Sequence, residues 1–392
     1  MKPARHRAVY RAKTYDVILT CNYSPWSSYS GGGQKSTHMV ACALVNLGYS
    51  VCVVYSKGLF ESIIIPDVPY DIEWAPFVAI RPGISSVFRY LNGATFYSTV
   101  QCISTAHSII HSNGDEGSLL GRIPTRRRFI YTNRYPGFDP FLFERDWTRI
   151  STWIAVSIRE PRFSAMSLGM RSADAVTCTS QHSIDQVKRC FSVPPHKLWV
   201  VPNGLDPDFA NAIIPNFTQQ RGVMFYGRLT QAKGVDILID AYAQLPGSLQ
   251  QTHPLSIVGE GPLEKKLRQR SRNLNVSFIK WKTGNALIRH IQDASVVVLP
   301  SLEESFGNTM IETLALGQRL ITTNCGSIPE VTGKFGIKLS SFSATQLSMQ
   351  LHQVLNAPVN TAKQIEQQNT IRNWYSWAAT AKRFSALYEN PP

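Results

Sequence analysis

Two carboxylates and two cations in the second half of the sequence have the residue types needed to bind a phosphorylated sugar. Glu304 and Glu312, separated by seven residues, lie in the stretch EESFGNTMIETLALG, which follows the apolar run SVVVLPS. Arg228 and Lys233 follow the apolar run VMFY in the stretch GRLTQAKG. Such carboxylates can accept hydrogen bonds from vicinal hydroxyls, and an arginine with a lysine can neutralise a diphosphate. Alternatively, the glutamates are ordinary first-turn helix residues and the cations belong to a basic loop.

The elements that must position these residues are parallel strands followed by helices. Short runs rich in β-branched residues alternate with segments of helical spacing through the second half, which predicts βαβ units. Ser305 and Gly307 precede one such helix, whose free backbone N–H groups favour an anion, and a glycine lets backbone approach a ligand closely. Ligands of these sheets bind at the carboxyl ends of the strands, so two such domains predict a site in the cleft between them.

A glycine-rich stretch, SSYSGGGQKSTH, follows the predicted first strand YDVILTCN. A nucleoside-triphosphate P-loop needs glycine directly before its lysine and another glycine five residues earlier. Gln34 and Tyr29 occupy those positions, which disfavours an ATPase. A nicotinamide oxidoreductase is disfavoured as well, because no G-x-G-x-x-G opens a helix after a strand. The alternative for the stretch itself is a surface turn.

Composition narrows the class of protein and of partner. The net charge of +14 favours an anionic partner, either a phosphorylated substrate or anionic lipid, and no nucleic-acid recognition module is present. The seven cysteines form no C-x-x-C pair, which predicts free thiols in a reducing cytoplasm and no zinc site. No apolar run has the length of a membrane span. We therefore expect a cytoplasmic protein. Peripheral contact with the inner face of the membrane is a further hypothesis.

The stretch PNGLDPDF contains several helix and strand breakers, and the domain boundary is predicted there. The predicted organisation is a basic tail at 1–13, an N-terminal Rossmann-like acceptor domain at 14–200, a C-terminal Rossmann-like donor domain at 201–375, and a C-terminal helix at 376–392.

Five stretches in this order carry a resemblance to a known family: PNGLD, GRLTQAKG, VGEGP, PSLEESFGNTMIETLALG and GSIPEV. They resemble retaining, nucleotide-sugar-dependent glycosyltransferases of the GT-B fold, and more narrowly glycosyltransferase family four, group 1. The resemblance is strong from Ala173 to about Val331 and moderate elsewhere. It implies an α/β fold of two Rossmann-like, doubly wound domains facing a cleft. It also implies that the C-terminal helix packs back on the N-terminal domain.

The resemblance gives the candidate residues their roles. Arg228 and Lys233 would neutralise the leaving diphosphate and Glu304 would hold hydroxyls of the donor sugar, which makes these three the predicted catalytic residues. Glu312 would bind the ribose. The remaining predicted donor-binding residues are Gly31, Gly32, Gly33, Arg134, Gly227, Trp281, Lys282, Ser305, Phe306, Gly307, Asn308 and Thr309.

Three further features bear on the site. The family often has a histidine at the position to which Arg134 is nearest in this sequence. Because the sequence departs from the family there, a contact between Arg134 and the donor sugar is in question. His111 is interpreted as structural, whereas Asp115 and Glu116 are candidates to assist an acceptor hydroxyl. A D-x-D motif, LDPDF, falls in the part that resembles the interdomain linker. We therefore predict no catalytic metal, and no cofactor beyond the nucleotide-sugar co-substrate.

The function implied by the resemblance is a retaining, metal-independent transferase of the hexosyltransferase type. It would move a sugar from a UDP- or GDP-sugar to a hydroxyl of a glycan, lipid or small molecule, in polysaccharide, cell-envelope or lipid-linked glycan synthesis. The basic stretches TRRRF and SVFRYLNGATFY would suit an anionic membrane surface, or they are plain surface basicity. Two other hypotheses remain, a GT-B-fold nucleotide-sugar epimerase and a non-catalytic nucleotide-sugar-binding protein.

Overall fold

The computed structural model describes residues 13–27, 30–57, 61–76, 89–134, 163–213 and 220–389, and the chain divides into two compact units. The first unit contains Met1–Cys178, Val187–Trp199 and Ala381–Pro392, and the second contains Thr179–Gln186 and Val200–Thr380. The boundary predicted after residue 200 lies one residue from the division after Trp199. The first part of the SVFRYLNGATFY stretch, 86–88, lies outside the described residues.

Each unit is built on one parallel sheet. The strands of the first are β1 (Val17–Cys21), β2 (Val51–Ser56), β3 (Asp71–Ala75), β4 (Ile109–Ser112), β5 (Arg128–Asn133), β6 (Ala175–Cys178) and β7 (Leu198–Val200). Those of the second are β8 (Val223–Tyr226), β9 (Leu255–Val258), β10 (Val276–Ile279), β11 (Val296–Leu299), β12 (Leu320–Thr323) and β13 (Ile337–Leu339). The strands β1, β2, β8 and β11 are buried along their whole length, as continuous apolar runs in parallel sheets require.

Helices connect the strands and cover the faces of the sheets. In chain order they are α1 (Gly32–Asn46), α2 (Arg89–Ile103), α3 (Gln181–Cys190), α4 (Pro207–Ala210), α5 (Val235–Ala243), α6 (Gly247–Thr252), α7 (Glu264–Arg270), α8 (Gly284–Asp293), α9 (Asn308–Ala315), α10 (Ile328–Thr332), α11 (Ala344–Asn356), α12 (Thr361–Trp374) and α13 (Trp377–Glu389). Residues 163–172 are also helical. Among the described residues, no helix combines the length and apolarity that crossing a membrane demands.

The strand order gives both sheets the same topology. The first sheet has the order β3-β2-β1-β4-β5-β6-β7, and the second has the order β10-β9-β8-β11-β12-β13. In each case the order reverses between the first and fourth strands, β1 and β4 or β8 and β11. A reversal of this kind opens a crevice outside the carboxyl ends of the two strands, where ligands bind. The predicted α/β class with two doubly wound Rossmann-like domains is confirmed.

The C-terminal helix α13 is tied into the first unit by a buried chain of hydrogen bonds. The hydroxyl of Tyr388 lies 2.7 Å from Nδ1 of His111, and Nε2 of His111 lies 2.6 Å from the hydroxyl of Thr132. Burial lowers the pKa of His111 to about 3, so the imidazole stays neutral and serves as one donor and one acceptor. The structural interpretation of this histidine agrees with its surroundings.

The three arginines of TRRRF also make contacts inside the first unit. Arg127 forms an ion pair with Glu389 of α13 at 2.9 Å, and Arg128 donates to the backbone carbonyl of Leu387 at 3.1 Å. Arg126 donates to a backbone carbonyl of its own segment at 3.4 Å. This basic run therefore has a role within the fold, in holding the last turns of α13. All seven cysteines are free thiols.

We expect Tyr388→Phe to lower the free energy of unfolding by about 1–3 kcal/mol, because it leaves a ring nitrogen of a fully buried histidine without its partner. The matched control is Tyr49→Phe, which removes a part-buried hydroxyl contact to Ser385 on the same helix. Its expected cost is about 0.5–1 kcal/mol. Urea unfolding followed by tyrosine and tryptophan fluorescence measures both. Equal losses in the two variants would contradict the assigned role of the buried chain.

Candidate functional site

The candidate site of the second unit lies at the carboxyl ends of β8 and β11. Arg228 comes two residues after β8, and Glu304 lies in the loop between β11 and α9. Lys233 ends a short 3-10 turn that follows Arg228. The three predicted catalytic residues therefore occupy the point where the strand order of this sheet reverses. Sequence spacing alone predicted the strand ends, and the topology explains why these particular ends are neighbours.

Lys233 and Glu304 form an ion pair in the structure. Their side chains are 27% and 12% exposed, and the same oxygen of Glu304 accepts a hydrogen bond from the Ser301 hydroxyl at 2.9 Å. Partial burial makes this attraction stronger than that of a surface pair. The structure thus joins the predicted phosphate-binding lysine to the predicted sugar-binding carboxylate.

The turn that carries Lys233 approaches the loop after β11 closely. Gly234 adopts a left-handed conformation with φ of +65°, and a Cβ there would lie 2.2 Å from the carbonyl oxygen of Pro300. Leu302 donates its backbone N–H to the carbonyl of Ala232 at 2.8 Å. Only glycine fits both the backbone angle and the space, so Gly234 is what allows Lys233 to reach Glu304.

Arg228 differs from Lys233 in its surroundings. It is exposed, and among the described residues its guanidinium has no hydrogen bond and no ion pair. Arg228 and Lys233 both follow β8, and Lys233 is already paired with Glu304, so one positive charge among these three side chains is uncompensated. A planar guanidinium can bind two phosphate oxygens at once, so the arrangement suits a diphosphate.

The GSIPEV stretch holds the backbone of Glu304. The carbonyl oxygen of Glu304 accepts hydrogen bonds from the N–H of Ser327 at 3.1 Å and from its hydroxyl at 2.9 Å. A Cβ on Gly326, whose φ is +59°, would lie 2.8 Å from that same carbonyl. In the sequence this stretch only contributes to a resemblance, whereas in the structure it fixes the loop that carries Glu304.

The N-terminus of α9 is shaped by Gly307, whose φ of +85° is left-handed. A Cβ at this position would lie 2.7 Å from the sulfur of Met310. The carbonyl of Ser305 accepts hydrogen bonds from three hydroxyls of the second unit: Thr179 at 3.1 Å, Ser180 at 2.8 Å and Ser183 at 3.2 Å. Of the predicted donor-binding residues, Ser305, Phe306 and Gly307 therefore form a fixed turn, and Asn308 and Thr309 begin the helix, whose first N–H groups are free.

Glu312 lies in the second turn of α9, beside Tyr226 of β8. The hydroxyl of Tyr226 donates to the carbonyl of Thr309 at 2.5 Å and lies 3.4 Å from a carboxylate oxygen of Glu312. Burial, with a further contribution from Glu312, raises the pKa of Tyr226 well above its ordinary value, so the phenol stays a donor. Tyr226 could not be identified from the sequence, because its position at the end of a buried strand looks the same as that of any core aromatic residue.

Gly227, Trp281 and Lys282 lie along the same carboxyl edge of this sheet. Gly227 follows β8 directly, whereas Trp281 and Lys282 follow β10 at the sheet edge. The strand β9 lies between β8 and β10, so the two groups are separated by about 10 Å, twice the spacing of neighbouring strands. Trp281 is 46% exposed. The role of these three as donor-binding residues stays a prediction.

The other predicted donor-binding residues, Gly31, Gly32, Gly33 and Arg134, belong to the first unit. Gly31 precedes α1, and its N–H donates to the side-chain oxygen of Gln34 at 3.0 Å. A Cβ on Gly33 would lie 3.9 Å from Cδ of Arg134. The structure therefore brings Arg134 beside the start of α1. Burial lowers the pKa of Arg134 to about 10, which leaves the guanidinium charged at neutral pH.

Asp115 and Glu116, which were candidates to assist an acceptor hydroxyl, are 3% and 1% exposed. Side chains so deeply buried are not open to an acceptor, and we assign them no acceptor contact. Asp206 of the D-x-D motif accepts a hydrogen bond from the N–H of Asp208 at 2.9 Å and thereby caps α4. Within the described ranges, no group of three or more histidine, cysteine or acidic side chains could hold a metal ion.

Comparison with known proteins identifies the family. The model described as Glycosyltransferase Family 4 matches residues 30–209, and the model described as Glycosyl transferases group 1 matches residues 208–372. Glycogen synthase of Mycobacterium tuberculosis is 27% identical over 253 residues, which is 61% of this chain and 60% of that protein. The chain thus aligns with about 60% of the length of this curated relative.

Two solved structures show the fold. Sucrose-phosphate synthase from Thermosynechococcus elongatus has a TM-score of 0.76 at 18% identity, covering 95% of this chain and 98% of that one. HepE from Anabaena, in complex with UDP and glucose, has a TM-score of 0.69 at 16% identity, covering 96% and 100%. Both alignments extend over nearly the whole of this chain, so they include the parallel sheets of both units.

We expect Gly307→Ala to destabilise the second unit by about 1–3 kcal/mol, because alanine is strained at positive φ and its Cβ would press on Met310. The control is Gly247→Ala, at the first residue of α6, where a Cβ would meet nothing within 4 Å. That change should be neutral or slightly stabilising. Differential scanning calorimetry compares the two. A Gly307→Ala protein as stable as the control would show that the turn does not need glycine.

Proposed function

The chain belongs to glycosyltransferase family four, with the GT-B fold, and from this premise we propose that it transfers a sugar from a nucleotide-sugar donor to an acceptor hydroxyl. The observation that carries the proposal is the grouping of Arg228, the Lys233–Glu304 pair and the N-terminus of α9 at one strand-order reversal. These groups suit a diphosphate with a sugar on one side and a ribose on the other.

In the proposed mechanism, the bond between the anomeric carbon and the diphosphate oxygen breaks while the acceptor oxygen attacks from the same face. The acceptor proton passes to the departing diphosphate oxygen, so the anomeric configuration is retained and no protein nucleophile is needed. Arg228, Lys233 and the helix dipole stabilise the charge that develops on the diphosphate. Glu304 accepts hydrogen bonds from the donor sugar. No metal takes part.

Before the donor binds, Lys233 is already paired with Glu304. A diphosphate that binds beside Lys233 shares the ammonium group with Glu304. The acceptor sites of Glu304 that Lys233 does not occupy can then accept hydrogen bonds from sugar hydroxyls. Glu312 would accept hydrogen bonds from the ribose, held in place through Tyr226. UDP is the first donor nucleotide to test, since HepE binds UDP with the same fold, and GDP is the second.

The proposed acceptor is a glycan or lipid-linked glycan hydroxyl, used on the cytoplasmic side of a membrane. The support for this part is the net charge of +14, which favours an anionic surface. A nucleotide-sugar epimerase would share the diphosphate site but would return an altered donor without consuming an acceptor, so product analysis separates the two activities.

The test is a thermal-shift screen with UDP, GDP, ADP, dTDP and their common sugar conjugates. A ligand at about one hundred times its Kd adds about 2.7 kcal/mol to the stability of the folded state, which raises Tm by roughly 5 °C or more. The shift should disappear in Lys233→Ala and persist in Lys265→Ala, a change of an exposed lysine on α7. If no nucleotide shifts the wild type, or if both variants respond alike, the donor site is wrongly placed.

We expect Gly33→Ala to separate ligand binding from folding. The position lies in the first turn of α1, and a Cβ would make only an ordinary contact with Arg134, so stability should be unchanged or rise by about 0.5–1 kcal/mol. If the glycine loop approaches the donor, kcat/KM for transfer should fall about tenfold or more. Steady-state kinetics and thermal unfolding provide both readouts, with Gly247→Ala as control. Unchanged kinetics would remove the glycine loop from the donor site.

A further inference from the structure

A buried polar cluster lies at the strand-order reversal of the first unit, next to β1 and β4. Its centre is the carboxylate of Glu116, in the 3-10 helix Asp115–Arg122 that follows β4. One carboxylate oxygen accepts hydrogen bonds from the backbone N–H of Asn113 at 3.0 Å and from the hydroxyl of Thr20 at 3.2 Å. The other accepts from the side-chain amide of Asn22 at 3.0 Å. These three donors come from two segments, the end of β1 with the residues that follow it and the loop after β4, and the carboxylate joins them.

The first arm of this cluster leads from Glu116 to the glycine loop. Asn22, held by Glu116, accepts a hydrogen bond at its backbone carbonyl from the side-chain N–H of Gln34 at 2.7 Å. The side-chain oxygen of Gln34 in turn accepts the N–H of Gly31 at 3.0 Å. A second amide, from Asn92 on α2, donates to the side-chain oxygen of Asn22 at 2.6 Å. The start of α1 is therefore fixed through two side chains to one carboxylate.

The second arm leads from Glu116 to Arg134. The backbone N–H of Asn113 donates to Glu116, and the side-chain amide of Asn113 donates to the carbonyl of Thr20 at 3.2 Å. With both of these groups engaged, the side-chain oxygen of Asn113 faces Arg134 and accepts its Nε–H at 2.9 Å. The orientation of the arginine thus depends on the same carboxylate that fixes the glycine loop.

We propose that Glu116 is a positioning residue that holds the glycine loop and Arg134 together in the geometry needed for sugar transfer, without touching substrate itself. The inference rests on the proposed function for its activity readout. Its physical basis is that an ionised carboxylate accepts hydrogen bonds from several directions and donates none. A glutamine or a protonated glutamate in its place would turn at least one N–H or O–H toward a neighbouring donor.

The charge of Glu116 changes near neutral pH, which gives the proposal a second observable. Burial, and then the neighbouring Asp115, raise the pKa of Glu116 to about 7. The Cys21 thiol on β1 has its pKa raised to about 12 and stays neutral, whereas Arg134 beyond β5 stays charged. His111 on β4, with a pKa of about 3, also stays neutral, and burial lowers the pKa of His38 on α1 below its ordinary value.

The direction of the pH effect follows from these states. Above about pH 7 the carboxylate is ionised and accepts all of its hydrogen bonds. Below that value the carboxyl group carries a proton that faces a donor, so the contact to Asn22 or to Asn113 weakens. The transfer rate should therefore rise with pH through this range.

The experiment compares Glu116→Gln with Asp115→Asn, which removes a buried carboxylate from the adjacent position of the same 3-10 helix. At pH 8, kcat of Glu116→Gln with UDP- or GDP-sugar should fall about tenfold or more, with a smaller change in KM for the donor. Its pH profile should lose the rise through about pH 7 that the wild type has. Asp115→Asn should keep a rise of the rate with pH, moved to lower pH because the charge of Asp115 no longer raises the pKa of Glu116.

Hydrogen exchange of the amides in 30–38, expressed as protection relative to intrinsic rates, provides a readout that needs no substrate. Protection of the Gly31 amide should fall about tenfold in Glu116→Gln. Gln34→Ala, which removes only the arm to Gly31, should reproduce that loss and supplies the test if Glu116→Gln does not fold. Unchanged protection and an unchanged pH profile, or the same effects in Asp115→Asn, would overturn the proposal. If the wild type transfers no sugar from any donor, the proposed function fails, while the exchange data still decide whether the carboxylate fixes the loop.

Discussion

Burial of a parallel sheet on both faces is the constraint on which both units depend. Strands such as β1 and β8 have no exposed face, so a polar side chain that is to meet a ligand must lie beyond a strand end. The strand order then selects which ends are useful, because only at the reversal do the connections leave on opposite sides. Every predicted catalytic residue follows β8 or β11, the two strands that meet at the reversal of the second sheet.

The two reversals use the same parts in different electrostatic settings. Each places a carboxylate in the segment after the fourth strand, Glu116 in the 3-10 helix after β4 and Glu304 in the loop after β11. Glu304 is 12% exposed and pairs with a lysine, so a ligand can compete for both charges. Glu116 is 1% exposed and is surrounded by neutral donors, so it can organise its neighbours but cannot meet a substrate. Burial therefore decides which carboxylate can act on a ligand and which can only position other groups.

The sequence predicted the features whose causes are local. The alternation of apolar runs and helical segments predicts the sheets, and Ser305 and Gly307 precede a helix as expected. Glu116 could not be assigned in this way, since its partner Thr20 is 96 residues away and the bond depends on the pairing of β1 with β4. The arginines of TRRRF likewise look like surface charge in the sequence. The partner of Arg127 is Glu389 on α13, 262 residues later in the chain, so the contact depends on where α13 packs.

Glycine shows how a structural requirement can be separated from a functional one. At Gly234 and Gly307 the protein itself demands glycine, through left-handed backbone angles and contacts that a Cβ would violate. At Gly31 and Gly33 it does not, since a Cβ would meet its neighbours at ordinary distances of 3.6 and 3.9 Å. A side chain there would be compatible with the fold as it stands. The fold therefore does not demand glycine at these two positions, and the proposed approach of a donor phosphate to the start of α1 would supply a reason for it.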